Sequence, residues 1–289
     1  IPWRIRMCGL SGWVSPRGWP LAHLKQATHL IRHRGPDDEG FLTWIGDPKT
    51  SPELWSGPDA PPSLQARHLR LPIEKNTPIA LGHRRLSIVD LSDAEHQPMG
   101  TSDGHRWIVY NGEVYNHVEL REELERLGHR FCSHSDTEVI LSAWQEWGPT
   151  CLERLNGMFA FLLLDLEREV LFAARDRFGI KPLYTWIAPD GTLAFASEVK
   201  QFTAMPGWSA KMNPQRIYDL LNWRLLDHTA ETCFAGVHQI LPGHQVLLSL
   251  PELLSGGRSM VLGNAIPAKK WYMLTPKFSD EPLEESARW

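Results

Sequence analysis

Between Phe159 and Glu198 the chain runs through FAFLLLD, EVLFAARD, PLYTWIA and TLAFASE. The longest apolar run, Met158 to Leu164, is of strand length. A membrane span would need roughly 18 residues or more. The four segments read as two hairpins, the second turning at Pro189-Asp190-Gly191. Two helices are predicted upstream. One starts near Asn116, carries Leu120, Leu124 and Leu127 on one face and stops at Gly128. The other starts near Asp136, where Ser135 and Glu138 have capping-box spacing, and stops at Gly148. Strands, two helices and then many strands imply an α+β fold with a layered sandwich.

The rest of the chain adds less. At 289 residues it is long enough for one large domain or two ordinary ones. Hydrophobic residues make up 42% and charged residues 22%, as in a soluble globular protein. A net charge of −4 argues against general nucleic-acid binding. Cys8, Cys132, Cys151 and Cys233 lack CxxC spacing and read as reduced cytosolic thiols, not as disulfides or a zinc site. An early amphipathic helix is expected around Leu21, Leu24, Thr28 and Ile31, ending at Gly35-Pro36. His29 and His33 stand at i, i+4, but without a third ligand no metal site is assigned. Seven prolines between Gly46 and Pro78 mark a surface insertion. Beyond Lys211 a helix (PQRIYDLLNWRLL) and a strand (QVLLSL) are followed by a stretch too irregular for a complete domain.

Polar residues gather at strand ends and turns beside glycine. In IRHRGPDDEG, Arg32, His33 and Arg34 suit the negative end of a helix. In GHRRLSIVDLS, Arg84 and Arg85 directly precede an apolar strand. One of them therefore points inward and wants a carboxylate, structural or a ligand's. Asn111-Gly112 is the strongest turn dipeptide of the chain. The Val114-Tyr115 that follows speaks against a two-residue hairpin, and an asparagine amide beside a glycine N–H can instead converge as an oxyanion hole. Asp136 favours either a helix N-terminus by its charge or an ammonium. With the Cys8 thiol, these groups describe a site for a free amino acid with an amide side chain, and glutamine fits.

In order along the chain, MCGL, RHRGPD, GHRRLSIVDLS, VYNGEVYNH, SDTEVI, LNGMFAF, RDRFGIKPLY and FASEVK cover Met7 to Phe202. Together they resemble the glutaminase domain of class II glutamine amidotransferases, and within it the asparagine synthetase (glutamine-hydrolysing) family. The resemblance implies the four-layer αββα sandwich of N-terminal-nucleophile hydrolases, with an irregular C-terminal extension. It implies Cys8 as nucleophile and Arg85 as clamp for the substrate carboxylate, supported by the backbone of Leu86, Ser87, Ile88 and Val89. Asn111 and Gly112 would form the oxyanion hole, and Glu113 and Asp136 would hold the α-amino group. RDRFGIKPLY and FASE are assigned mainly structural and domain-contact roles.

In that class the cysteine's own α-amine is the base, because an amide nitrogen has its lone pair delocalised. Residues 1–7 are therefore expected to be absent from the active form, with Met7 as initiator. Residues 8–210 would be the glutaminase domain and 211–289 a bridge toward a synthetase domain. SGGRSM (Ser255 to Met260) matches only the start of that domain's pyrophosphate loop and reads as an ordinary loop. No cofactor or metal is expected for the glutaminase, and ATP and Mg only for the synthetase. The expected partners are glutamine and a synthetase in cis or trans. Nucleic acid and membrane are not expected, a homodimer is compatible, and the setting is cytoplasmic. Two alternatives stand beside this reading: a catalytically silent amidotransferase-like module, and an ammonia donor for a different amide-forming synthetase.

Overall fold

The computed structural model describes residues 7–86, 95–256 and 263–275. The chain begins with β1 (Gly9–Pro20), α1 (Leu21–His29), β2 (Asp38–Trp44), β3 (Glu53–Ser56), α2 (Pro62–Arg67), β4 (Leu69–Arg70) and β5 (Asn76–Arg85). β6 (Met99–Gly100) and β7 (Arg106–Val114) lead into α3 (His117–Arg126), α4 (Asp136–Trp147) and α5 (Cys151–Arg154). Next come β8 (Gly157–Asp165), β9 (Val170–Arg175), β10 (Tyr184–Ile187), β11 (Leu193–Ala196) and a 3₁₀ segment, Val199–Ala204. α6 (Pro214–Trp223), β12 (Val237–Gln239), β13 (His244–Ser249), α7 (Leu250–Leu254) and β14 (Lys269–Lys270) close the described chain.

Two sheets form, ordered β12-β10-β11-β1-β5-β2-β3-β4 and β14-β13-β9-β8-β7-β6. Their apolar strands alternate between two cores, as period-2 side chains must. In β8, Ala160, Leu162 and Leu164 enter the core between the sheets, while Phe159, Phe161 and Leu163 face α3 and α4. All six are fully buried. Burial of each of the larger side chains contributes roughly 1.5–3 kcal/mol. On the far side of the first sheet, Trp13, Phe41 and Ala80 pack with Leu21 and Leu24 of α1 and with Phe202. The layers are therefore α1 with the 3₁₀ segment, sheet, sheet, and α3 with α4. This is the expected αββα sandwich.

Both predicted hairpins form: β8 pairs with β9, and β10 with β11, and Gly191 takes φ 85° in the second turn. Two local expectations are overturned, and a third falls largely outside the described residues. The proline-rich stretch is not all insertion, because β3 pairs along β2 and extends the first sheet. Prolines bracket β3 without interrupting its four residues, Glu53 to Ser56. Arg84 and Arg85 end β5, which runs from Asn76 to Arg85, and the apolar strand expected after them lies, apart from Leu86, outside the described residues. Asn111-Gly112 makes no turn and lies inside β7, opposite Ala160 and Phe159. Here β-sheet pairing on a long partner strand outweighs a local turn preference. Strands beyond residue 210 also join in: β12 edges the first sheet and β13 pairs along β9.

Candidate active site

Cys8 stands immediately before β1, in the middle of the first sheet. Gly9 leaves room there for Ile31, whose Cδ1 would lie 2.6 Å from a Cβ and would have to shift. The chain around Cys8 is fastened on three sides. Arg34 Nε donates to the Cys8 carbonyl at 3.0 Å, and Arg34 Nη1 donates to Glu198 Oε1 at 3.0 Å. Leu10 N donates to Ser197 Oγ at 3.0 Å, and Gln201 Nε2 donates to Leu10 O at 3.2 Å. Leu86 N donates to Cys8 Sγ at 3.4 Å. Burial pushes the thiol above its ordinary range, against the opposing pull of the Leu86 N–H, Arg85 and Lys181.

A cavity of about 490 Å³ opens over this thiol. Of the sequence-predicted residues, Cys8, Arg85, Leu86, Asn111, Gly112, Glu113 and Asp136 all line it. Ser87, Ile88 and Val89 lie outside the described residues, as does most of SGGRSM. Arg85, 4% exposed, donates from Nη2 to Glu95 Oε2 at 3.1 Å. Its neighbour Arg84 points to the opposite face and is held by Asp59 at 2.8 Å and Glu39 at 3.5 Å.

The edge of β7 carries the sharpest geometry. Phe159, opposite Gly112, gives both its N–H and its C=O to Asp176. Gly112 and Phe159 are therefore a non-hydrogen-bonded pair, and the Gly112 N–H points away from β8. On the same edge, Tyr110 N donates to Gln97 Oε1 at 2.6 Å and Val114 N donates to Asp136 Oδ2 at 2.8 Å. The Gly112 N–H projects between these two anchors, into the cavity. A Cβ at Gly112 would sit 2.3 Å from Met158 O, which forces glycine. Asn111 is 1% exposed, and neither its Oδ1 nor its Nδ2 has a hydrogen-bond partner among the described residues. Leaving such groups buried and unpaired costs about 1–3 kcal/mol.

Asp136 opens α4, where Ser135 Oγ caps Thr137 N at 3.1 Å. The reciprocal half of the capping box is absent: Glu138 accepts from Cys132 N and Ser133 N instead. Asp136 Oδ2 also accepts from the Tyr110 hydroxyl at 2.7 Å, and its Oδ1 has no partner among the described residues. Burial, then Asp136, hold that phenol well above its ordinary range.

The cavity also contains residues the sequence did not single out, including Gln97, Tyr110, His117, His134, Met158, Ile180 and Lys181. Lys181 and Ile180 belong to RDRFGIKPLY, and the signal available was a lysine beside a turn glycine. His33, expected at a helix end, bonds Glu198 at 3.0 Å. No group of three His, Cys, Asp or Glu residues among the described residues is placed to hold a metal.

A family profile described as "Glutamine amidotransferase domain" matches residues 72–253, well over half of the chain. The chain belongs to the glutamine amidotransferase domain family. It is 33% identical over 249 residues to asparagine synthetase [glutamine-hydrolyzing] 3 of Bacillus subtilis, covering 84% of this chain and 35% of that protein. It is 34% identical over 249 residues to amidase chyE of Penicillium rubens, covering 85% and 33%. The chain thus spans about a third of the length of these curated relatives. Glutamine phosphoribosylpyrophosphate amidotransferase from B. subtilis, solved with ADP and GMP, superposes with a TM-score of 0.64 at 19% identity. That match covers 92% of this amidotransferase domain and 50% of the solved chain, and it confirms the fold. Among the described residues no helix is long and apolar enough to cross a membrane.

Proposed function

We propose that this domain hydrolyses glutamine to glutamate and ammonia through a thioester on Cys8, in a form of the chain that begins at Cys8. The observation that carries the reading is the Asn111 amide, buried and unpartnered, beside an outward Gly112 N–H in the cavity that contains the thiol. Such donors are worth having only where charge develops during reaction. Arg85 meets the α-carboxylate, with the backbone that continues from Leu86 through Val89, in place of part of its bond to Glu95. Asp136 and Glu113 meet the α-ammonium. The Cys8 α-amine takes the thiol proton, and Sγ attacks the side-chain carbonyl carbon. The oxyanion is held by Asn111 and Gly112, the amine returns the proton to departing ammonia, and water then cleaves the thioester. The raised thiol supports this division of labour, since a buried thiol needs a base at hand.

Residues 8–210 are read as the glutaminase and 211–289 as its bridge to a synthetase region that uses ATP and magnesium, in cis or in trans. α6 supports such a partner. Tyr218 and Leu221, one turn apart on one side of the helix, are 55% and 76% exposed, and Trp223 at its end is 66% exposed. That is much apolar surface for one short helix. Aspartate is the acceptor that the synthetase-named relatives favour. The amidase-named relative, similar at nearly the same identity, supports an ammonia donor to another amide-forming centre.

Glutamate release from glutamine is measured for the chain as given, for a form starting at Cys8 and for Cys8→Ala, with intact mass recorded for each. Release is expected from the Cys8-start form alone. A silent Cys8-start form would leave the chain a binding module, and full activity with a retained leader would overturn the amine mechanism.

A further inference from the structure

Lys181 is a buried cation whose partner is a residue that the active form loses. The loop that carries it is rigid. The Asp176 carboxylate, itself fully buried, accepts from the backbone N–H groups of Phe159, Phe178, Ile180 and Lys181 at 3.0–3.1 Å. The Lys181 carbonyl in turn accepts from Arg175 Nε at 2.9 Å. From this root the side chain enters the cavity, 5% exposed, and Nζ meets Met7 Sδ at 2.9 Å. A thioether is a weak acceptor for an ammonium. Among the described residues no carboxylate lies within ion-pair distance of Nζ. A cation left this way in a cavity is aimed at something else.

We propose that Lys181 is a positioning residue of the amidotransferase centre, whose ammonium turns from Met7 to the Cys8 amine and thiol once the chain begins at Cys8. The idea rests on the N-terminal-cysteine reading above. An adjacent positive charge disfavours a second one on the α-amine and favours loss of the thiol proton. Lys181 therefore lowers the pH at which the doubly protonated pair gives up its first proton and becomes able to attack. Arg85 acts in the same sense on Cys8 and Asp136 opposes it, while Arg34, Asp176 and Glu113 bear on the Lys181 ammonium itself. Glu95, His117 and His134 also line the cavity and are the same residues in every variant. A difference between variants at position 181 therefore isolates the lysine.

The test uses the Cys8-start chain with lysine, Lys181→Met, Lys181→Gln and Lys181→Arg. Two profiles are read from pH 5.5 to 9: kcat/KM for glutamate release, and the rate of Cys8 alkylation by iodoacetamide. Removing the charge is expected to move the acid limb of both profiles upward by about one pH unit, with roughly a tenfold loss near pH 6.5. Arginine is expected to restore most of it. Lys181→Gln keeps a neutral polar head in the same space, so the comparison does not depend on how the methionine variant folds. Profiles that superimpose on the parent's would overturn the proposal while leaving the amidotransferase reading intact. A parent that alkylates normally but releases no glutamate would sink that reading instead.

Discussion

Asn111 concentrates the chemistry of the site in one side chain. It is surrounded by protein, yet both amide atoms lack partners among the described residues, so the native fold carries the cost of desolvating them. A structural asparagine would be stabilising, and a functional one need not be. Asn111→Ala is therefore expected to lower kcat for glutamate release by about 10²–10³, while thermal unfolding shifts little or moves upward. A variant that melts clearly earlier with near-normal turnover would mark Asn111 as structural. That Cys8, one of Arg84 and Arg85, Asn111 and Asp136 would share a site is suggested by their side-chain chemistries, the choice of Arg85 coming from the family resemblance, and the four line one cavity. Lys181 is not legible in the sequence, because a lysine after Gly179-Ile180 reads as a turn, and only the Asp176-centred loop aims it inward.

β7 shows where local signals mislead. Asn-Gly specifies a two-residue turn in isolation, but here nine residues pair in register with β8 from Arg106↔Asp165 to Val114↔Gly157. The glycine is needed for close approach instead of a turn. Gly157 across the ladder repeats the device: a Cβ there would lie 2.2 Å from Glu113 O. Gly112→Ala asks Met158 O, a backbone atom in a central strand, to move by the better part of an ångström. The expected result is a loss of about 1–3 kcal/mol, measured by urea unfolding, together with loss of glutamate release. Unchanged stability would mean that β7 and β8 separate easily, and the outward N–H would no longer be fixed. The helices are legible because their stops and cap are chemical: Gly128 at φ 101°, Gly148, and the Ser135 hydroxyl. β3 is hidden because the prolines around it dominate the composition of that stretch.

At the scale of the whole molecule, the succession of strand and helix runs is enough to give the layers, whereas strand order is not, since β5 enters between β1 and β2 and no local pattern encodes that. The two sheets are also tied by a polar contact that the sequence does not reveal. His83 of β5, 1% exposed, bonds through Nε2 to the Tyr110 carbonyl of β7 at 2.9 Å, next to the site. Burial, against the pull of that carbonyl and of Asp38, holds the imidazole down to about 3. An unfolded histidine titrates near 6.5. Between those values the unfolded chain binds a proton that the folded chain refuses, so stability falls as pH drops from about 6.5 toward 3. The full effect is at most on the order of 5 kcal/mol. His83→Gln keeps an amide able to donate to Tyr110 O but does not titrate. Urea unfolding at pH 7.5, 6, 5 and 4 is expected to find the variant less stable at neutral pH by about 1 kcal/mol, through imperfect packing. The gap should narrow and then reverse as the medium becomes acid. Other acid-sensitive groups, such as Glu198 with Arg34, remain in both proteins and cancel in the difference. A gap that stays constant across the series would show that the tie between the sheets does not titrate, and that acid lability arises elsewhere.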